Sequence, residues 1–271
     1  MPVVGDRVQW LASQDEGTIE QIEPRRNLFY RQDELRIKSF AANLDQILIL
    51  IAAEPEFSEN QLTRTLIAAE AARITPVIAL NKRDLKTPFE RAWSRLLPYR
   101  SMGYELLALT LKGDGSTNCD ELCAKLRGKT TLVIGPSGAG KSTLINWLVP
   151  NARVQTQALS LALRSGKHTT TSTTWYWLDA LRSAALIDSP GFQEFGLRHL
   201  APEQLAAYMP DLRAQLTGCK FYNCTHLHEP GCAVLAQVQR QDAGTAAGAI
   251  TPARYKMYSE LFAELARSRF A

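Results

Sequence analysis

The stretch Gly135-Pro136-Ser137-Gly138-Ala139-Gly140-Lys141-Ser142-Thr143 follows the strand-like run Thr130–Ile134 and leads into a helical pattern that ends at Leu148. It matches the phosphate-loop pattern G-x-x-x-x-G-K-[ST], in which glycines let backbone N–H groups turn towards an anion. The helix that follows adds its positive N-terminal end. We therefore expect all nine residues to bind a nucleotide, with Lys141 on the β- and γ-phosphates and the Ser142 hydroxyl on Mg2+. The alternative is a plain glycine-rich turn.

A second nucleotide motif, Asn81-Lys82-Arg83-Asp84, precedes the phosphate loop in the chain. The Asp84 carboxylate can accept two hydrogen bonds, from the ring N–H and the amine of guanine, which adenine does not offer together. We expect Asn81 to brace the site and the base, and the Lys82 stem to lie over the ring. N-K-x-D alone is a weak signal, but beside a phosphate loop it predicts GTP. Ordinary GTP-binding domains have the two motifs in the reverse order, so the chain is predicted to be circularly permuted. The Ser-Ala pair that usually follows is degenerate here, near Leu109-Thr110.

Two further segments are predicted to sense Mg2+ and the γ-phosphate. Asp188-Ser189-Pro190-Gly191 matches D-x-x-G, in which Asp188 holds Mg2+ through water and the Gly191 N–H meets the γ-phosphate. Between this motif and the phosphate loop lies Gly166-Lys167-His168-Thr169-Thr170-Thr171. One of its threonines can complete the Mg2+ shell while GTP is bound, so the loop is expected to order with GTP and to release after hydrolysis. The alternative is a flexible Ser/Thr-rich loop.

The catalytic equipment departs from that of Ras-like enzymes. Phe192 follows Gly191, where those enzymes have the glutamine that orients the attacking water. Because an apolar side chain cannot position water, catalysis is expected to be slow or to use another group. His168 is the best candidate, since a neutral imidazole accepts a hydrogen bond from water; a loop histidine without a role is the alternative. Lys141 and Asp188 complete the predicted catalytic set.

A cluster of metal-ligand residues occurs near the C-terminus. The spacing Cys219-x4-Cys224-x-His226-x5-Cys232 places three thiols and an imidazole within fourteen positions. Cys3His is a common ligand set for structural Zn2+, although the first spacing is not the usual C-x2-C. We predict one structural zinc ion. His228 is a rival ligand that spacing does not exclude, and chance clustering or a redox pair is the alternative.

The predicted secondary structure divides the chain into three regions. Residues 1–39 read as short strands, too few to close a barrel alone. Residues 40–198 alternate strands with helices, which predicts a parallel, doubly wound α/β sheet with ligands at the carboxyl ends of its strands. Residues 199–271 are helical and cysteine-bearing. Their last helix is amphipathic and basic, and its basic residues are Arg254, Lys256, Arg267 and Arg269.

The composition and the apolar runs argue against a secreted or membrane-spanning protein. The 271 residues are 45% hydrophobic and 21% charged, which is typical of a soluble globular protein. The formal charge of +4 permits an RNA or phosphate partner without demanding one. The N-terminus lacks a signal pattern, and the longest apolar stretch, residues 47–53, is too short to span a bilayer. We expect a cytoplasmic monomer with no membrane partner.

The motifs together resemble the circularly permuted GTPase family RsgA, also called YjeQ or EngC. In chain order they are GDRV, AANLDQ, LNKRDL, GPSGAGKSTLIN, GKHTTT, IDSPGF and C-x4-C-x-H-x5-C, and they cover nearly the whole chain. The resemblance implies a GTP hydrolase that assists late maturation of the small ribosomal subunit, binds its rRNA and is stimulated by it. It also implies that the zinc segment is a helical domain and that the N-terminal module is an OB-fold. Since the family usually has more strands before GDRV, either the barrel is incomplete, or the module pairs with something else, or its start is truncated. The family's catalytic histidine corresponds to His168, its Mg2+-binding threonine to Thr170, and its zinc ligands to Cys219, Cys224, His226 and Cys232.

The predicted mechanism couples these parts. GTP and Mg2+ would order the loops at 166–171 and 188–195, and the second loop leads directly into the zinc domain. That domain and the basic last helix would meet RNA through phosphate contacts. Three rivals are a P-loop ATPase or kinase, a zinc-dependent RNA-binding module with a vestigial nucleotide site, and a permuted GTPase that acts on the large subunit.

Overall fold

Two short β-hairpins begin the chain. The structure, a computed structural model, describes residues 1–12, 16–33, 37–112, 119–152, 173–189, 195–240 and 250–267. Val8–Ala12 (β1) pairs with Gly17–Ile22 (β2), and Leu28–Gln32 (β3) pairs with Ile37–Ala42 (β4), both antiparallel. The two hairpins differ in burial. The first exposes Trp10 and Leu11, whereas the second buries Phe29 and Phe40 in the main core.

The centre of the molecule is a six-stranded sheet with the order β7-β6-β5-β8-β10-β9. Its strands are Gln46–Ala52 (β5), Thr75–Asn81 (β6), Glu105–Ala108 (β7), Thr130–Ile134 (β8), Thr174–Trp177 (β9) and Ala185–Asp188 (β10). All neighbouring pairs are parallel except β9 with β10. The predicted doubly wound parallel sheet is therefore confirmed, and the structure adds one antiparallel pair at its edge.

The sheet is buried on both faces. Side chains alternate along a strand, so Ile47, Ile49 and Ile51 of β5 enter one core while Leu48 and Leu50 enter the other. Helices cover the two faces, as the strand–helix alternation predicts. They are Glu59–Ala71 (α1), Lys86–Ser101 (α2), Cys119–Leu126 (α3) and Lys141–Leu148 (α4).

One strand is shorter than expected. The mostly apolar run 105–111 predicts a single strand, but β7 ends at Ala108. The Leu109 N–H still bonds to the Leu80 carbonyl, and the Leu109 carbonyl then accepts from the N–H of Arg83 instead of continuing the ladder. The chain thereby leaves the sheet and turns towards the base-reading motif.

The C-terminal part is helical, as predicted. It contains the α-helices Pro210–Arg213 (α5), Ala233–Arg240 (α6) and Pro252–Arg267 (α7), with short 3-10 turns at Pro202–Tyr208 and Leu216–Gly218. No helix in the described ranges is long and apolar enough to cross a membrane.

One expectation about the last helix is wrong. Arg254 was named among the basic residues of a helix expected to meet RNA through phosphate contacts, but only 6% of it is exposed. Its guanidinium donates to both carboxylate oxygens of Asp211, at 2.9 and 3.1 Å, and to the Thr63 hydroxyl of α1 at 2.9 Å. A buried charge needs such a partner, and Asp211 supplies it from another element. Arg254 therefore ties the last helix to the GTPase-motif region and cannot contact RNA in this state.

The predicted boundary between residues 39 and 40 falls inside β4. The hairpin to which β4 belongs packs on the same core as β5, through Phe29, Phe40 and Ala41. The division at 39, like that at 198, stays a prediction, as does the assignment of the hairpins to a partial OB-fold.

Candidate functional site

Three of the predicted nucleotide motifs meet at one edge of the sheet. Asn81 ends β6, the phosphate loop follows β8, and Asp188 ends β10. Because these strands are parallel, their carboxyl ends lie along the same edge. Asp188 pairs in register with Val133, two residues before the phosphate loop begins.

The phosphate loop depends on a glycine where it approaches the base-reading motif. Gly140 stands at the N-terminus of α4 with a φ of 105°, which side chains rarely tolerate. A Cβ there would lie 2.5 Å from Nδ2 of Asn81. Gly140 thus lets two motifs that lie far apart in the sequence touch.

Asn81 joins the phosphate loop to the loop beyond β7. Its Nδ2 donates to the Ala139 carbonyl at 2.9 Å, and its Oδ1 accepts from the Leu111 N–H at 3.2 Å. The side chain is only 4% exposed, so these contacts are shielded from water. Leu111 was missed by the sequence reasoning, and the only signal for it was the degenerate stretch at Leu109-Thr110.

The rest of the base-reading motif turns out of the sheet. Lys82 has a left-handed φ of 67°, and its ammonium donates to the Glu54 carbonyl. Arg83 and Asp84 are exposed at the turn that precedes α2. An exposed carboxylate at this position is accessible to a base that enters from solvent.

Lys141 lies within the phosphate loop. Its ammonium donates to the carbonyls of Gly135 and Pro136, at 2.6 and 3.0 Å. Burial lowers the pKa of Lys141, and the nearby charge of Asp188 opposes that shift. Ser142 follows in the first turn of α4, where its N–H belongs to the positive end of the helix.

The sensor residues are only partly described. Asp188 and Ser189 are buried, and the Ser189 hydroxyl lies 2.9 Å from that of Thr173. His168 and Thr170 lie outside the described residues, and so do Gly191 and Phe192. The roles predicted for these four residues remain predictions.

The structure brings the four predicted metal ligands together. The ligand atoms of Cys219, Cys224, His226 and Cys232 all lie within 4.8 Å of one another. Nδ1 of His226 is 3.5 Å from Sγ of Cys219 and from Sγ of Cys232, and the two sulfurs are 4.0 Å apart. Metal–sulfur bonds of about 2.3 Å give tetrahedral edges of about 3.8 Å. The cluster therefore fits a tetrahedrally bound metal ion, and the described group does not include His228.

The loop that carries His226 is held from two sides. On one side, Tyr255 and Tyr258 of α7 donate to the carbonyls of His226 and Thr225, at 2.9 and 2.7 Å. On the other, Glu229 accepts from the N–H groups of Thr225 and Leu227, at 2.8 and 3.2 Å. Burial opposes ionisation of Glu229, but the hydrogen bonds from Thr225, together with those from the N–H groups of His228 and of Glu229 itself, outweigh it and hold the carboxyl pKa well below its ordinary value. Glu229 was missed by the sequence reasoning, because only the folded loop directs these N–H groups towards it.

Comparison with known proteins extends these observations to sequence families. The model of the family described as "RsgA GTPase" matches residues 22–198. A relative from Variovorax paradoxus (strain S110), named "Small ribosomal subunit biogenesis GTPase RsgA", is 66% identical over 268 residues, which cover 99% of this chain and 83% of the relative. A protein of the same name from Burkholderia pseudomallei (strain 1710b) is 49% identical over 262 residues, covering 96% and 81%.

Two solved structures have a similar fold. The crystal structure of YjeQ from Thermotoga maritima matches with a TM-score of 0.73 and 27% identity, over 98% of this chain and 85% of that one. The crystal structure of YloQ, described as a circularly permuted GTPase, matches with a TM-score of 0.70 and 27% identity, over 98% and 82%. The likeness therefore spans the hairpins, the sheet and the helical C-terminal part together.

Proposed function

The chain belongs to the RsgA GTPase family, and from this premise we propose that it hydrolyses GTP to assist late maturation of the small ribosomal subunit. That the chain is a GTPase follows from the family, and the subunit is inferred from the names of the Variovorax and Burkholderia relatives. The observation that carries the proposal is the contact of Asn81 with Ala139, at 2.9 Å, because it joins a guanine motif to a phosphate loop in one site.

Each motif has a distinct role in binding. Asp84 reads guanine, and the Lys82 stem lies over the ring. The backbone N–H groups of residues 135–143 cradle the phosphates, and Lys141 moves from the loop carbonyls to the β- and γ-phosphates. This exchange requires little movement, since the ammonium already lies inside the loop, on the carbonyls of Gly135 and Pro136.

Hydrolysis uses the sensor residues. Ser142 and Thr170, with Asp188 acting through water, would hold Mg2+, which would neutralise the charge that develops on the phosphates. The Gly191 N–H meets the γ-phosphate, and His168 accepts a hydrogen bond from the attacking water. Because Phe192 cannot orient that water, basal turnover is slow and rises when the subunit binds.

The metal of the Cys3His cluster is zinc. Three sulfurs and one imidazole nitrogen at near-tetrahedral separations form a closed set with no open position, which is typical of a structural rather than a catalytic ion. Such an ion stabilises the loop between Cys219 and Cys232, which has little apolar core of its own.

The zinc domain also presents a surface suited to rRNA. The residues between the first two cysteines include Tyr222, which is fully exposed, and Phe221, whose ring lies 5.5 Å from the ammonium of Lys220. Exposed aromatic rings beside a cation suit stacking of unpaired bases and contact with phosphate. On the last helix, Lys256 is exposed and Arg254 is not, so the basic face there is smaller than the sequence indicates.

The protein would act as a cytoplasmic monomer, released from the subunit when hydrolysis frees the loops at 166–171 and 188–195. A permuted GTPase that acts on the large subunit is the nearest alternative. The names of the relatives favour the small subunit.

The test is a GTPase assay with and without each purified ribosomal subunit, comparing wild type with His168→Ala. We expect stimulation by the small subunit alone, and loss of that stimulation in the variant with GDP affinity retained. Stimulation by the large subunit alone would contradict the proposed partner. Equal subunit affinity in GDP and in a non-hydrolysable GTP analogue would contradict release by hydrolysis.

A further inference from the structure

The segment that follows the γ-phosphate motif lies on the N-terminal hairpin β3–β4. Phe195 is buried, and its ring centroid lies 5.5 Å from that of Phe29 and 5.8 Å from that of Phe40, stacked on the latter with an interplanar angle of 7°. The chain therefore meets this hairpin before it reaches the zinc domain, whereas the sequence predicted a direct path from the motif to that domain.

Backbone hydrogen bonds hold the same segment in place. The Gln32 N–H donates to the Gly196 carbonyl, and the Arg198 N–H donates to the Gln32 carbonyl, each at 3.1 Å. Together they form a parallel bridge between Gln32 and Leu197 at the end of β3. The segment is thus attached to β3 through a single parallel β-bridge.

Because residue 196 is glycine, the segment can approach the backbone of β3 closely. A Cβ at Gly196 would lie 2.1 Å from Oδ1 of Asp33 and 2.4 Å from the carbonyl oxygen of Gln32. Since the second atom belongs to the backbone, it cannot rotate away as a side chain would. A residue larger than glycine at this position must lift the segment away from β3.

Other elements reach the same point. A guanidinium nitrogen of Arg64, on α1, lies 3.4 Å from the Phe195 carbonyl oxygen, and Arg64 is ion-paired with Glu264 of the last helix. The N-terminal hairpin and α1 therefore contact the segment at Phe195 directly, and the C-terminal helix contacts Arg64.

The other end of the motif is held by the sheet. Asp188 is the last residue of β10, and Ser189 contacts Thr173. Only five positions, 190–194, separate Ser189 from Phe195. Ser189 and Phe195 therefore hold the two ends of a short covalent path that includes Gly191, the residue predicted to meet the γ-phosphate.

We propose that Phe195 and Gly196 are positioning residues for GTP hydrolysis, and that their contacts with β3–β4 couple the N-terminal hairpin to the γ-phosphate motif. The proposal rests on the GTPase activity of the proposed function and is independent of the ribosomal partner. Such coupling is reciprocal. A partner that binds the hairpin and moves Phe195 changes the relative affinity for GTP and GDP, and the nucleotide changes the affinity of that partner for the hairpin by the same factor.

The experiment measures basal GTP hydrolysis by the full chain without ribosomes, normalised to sites titrated with GDP. In Gly196→Ala we expect kcat to fall about 10- to 100-fold, as misplacement of about an ångström causes, with GDP affinity within about twofold of wild type. The guanine motif and the phosphate loop are not touched by the substitution. Gly103→Ala is the control for backbone strain: a Cβ there meets nothing within 4 Å, but the φ of 94° strains an alanine, so this variant should lose stability without disturbing the segment at Phe195.

A second pair of variants separates positioning from stability. Phe195→Ala should lower kcat similarly and Phe195→Leu should restore most of it, because leucine refills the space between Phe29 and Phe40. Leu261→Ala removes a buried side chain from the last helix and supplies a comparable loss of thermal stability. The proposal is overturned if folded Gly196→Ala retains wild-type kcat, or if Leu261→Ala lowers kcat per titrated site as much as Phe195→Ala does. Neither outcome depends on stimulation by the small subunit, whose absence would count against the proposed function alone.

Discussion

The side-chain amide of Asn81 donates to the Ala139 carbonyl at 2.9 Å and so joins the guanine-reading motif to the phosphate loop. In the chain these residues are 58 positions apart. The order of the two motifs is rotated relative to ordinary GTP-binding domains, yet the contact between them depends only on β5 and the neighbouring strands β6 and β8 lying parallel in the sheet. Several consequences of this and other contacts can be measured.

Asn81→Ala should weaken the binding of GDP and of GTP analogues alike. The substitution leaves the Ala139 carbonyl and the Leu111 N–H without their buried partner, at a cost of about 1–3 kcal/mol in the geometry that binds nucleotide. Because the free loops should relax to avoid this cost and binding must restore it, we expect affinity to fall by roughly 5- to 150-fold. Titration with a fluorescent guanine nucleotide measures the effect. Asn151→Ala, at an exposed position after α4, is the control and should bind as wild type does. Unchanged affinity in Asn81→Ala would show that the contact does not support the nucleotide site.

His226→Ala should abolish stoichiometric metal binding, and His228→Ala should not. Nδ1 of His226 faces two cysteine sulfurs at 3.5 Å, whereas His228 is exposed and outside the ligand group. Metal content by elemental analysis and retention against a chelator distinguish the two variants. Loss of metal in His228→Ala with retention in His226→Ala would reverse the assignment.

Arg254→Ala should destabilise the fold strongly, by about 3–5 kcal/mol, because it leaves the carboxylate of Asp211 buried without its partner. Lys256→Ala, two residues later and exposed, should change stability by less than about 0.5 kcal/mol. The midpoints of urea unfolding compare the two. Equal midpoints would mean that the last helix is not attached through Arg254.

Stability should fall as the pH is lowered from about 6.5 to about 4, and His199 should account for part of the loss. Burial against the Tyr30 ring, 4.4 Å away, lowers the pKa of His199 to about 4, below the unfolded value of 6.5. The unfolded state then binds the proton over this window and the folded state does not, so protonation favours unfolding. His199→Gln should flatten the pH dependence of the unfolding midpoint. An unaltered slope in His199→Gln would refute the assignment.

Tyr222→Ala should weaken binding to the small subunit, since loss of one stacked base costs about 1–3 kcal/mol. Leu97→Ala, an exposed apolar residue on α2, is the control for nonspecific surface effects. Sedimentation with purified subunits in a GTP analogue measures both. Equal binding of Tyr222→Ala and wild type would remove this surface from the RNA interface, without bearing on the GTPase activity.

The local motifs could be read from the chain because each is built from neighbouring residues. A strand followed by glycines and a helix start predicts a phosphate loop, and the D-x-x-G motif begins with Asp188, which lies at the end of β10. The sheet class followed from strand–helix alternation. The end of β7 at Ala108 was missed, because the apolar run to Leu111 continues after the ladder stops.

Partners that lie far apart in the chain were not predictable in the same way. The helical pattern around Arg254 indicated a basic residue on an amphipathic helix, but not that Asp211, 43 residues earlier, would bury its charge. Spacing left His226 and His228 as rivals, and only the turn of the loop at His226, with a φ of 59°, brings one imidazole to the cysteines.

The sequence by itself determined the nucleotide class, the permuted order of the motifs, the doubly wound sheet and the candidate metal ligands. These depend on short motifs and on the alternation of strands and helices along the chain. Only the tertiary structure decided that Asn81 bridges to Ala139, that Arg254 is buried, and that the segment at Phe195 and Gly196 lies on β3 before it reaches the zinc domain. Those contacts are made by surfaces that meet only after the chain has folded, and local sequence patterns do not predict which surfaces will meet.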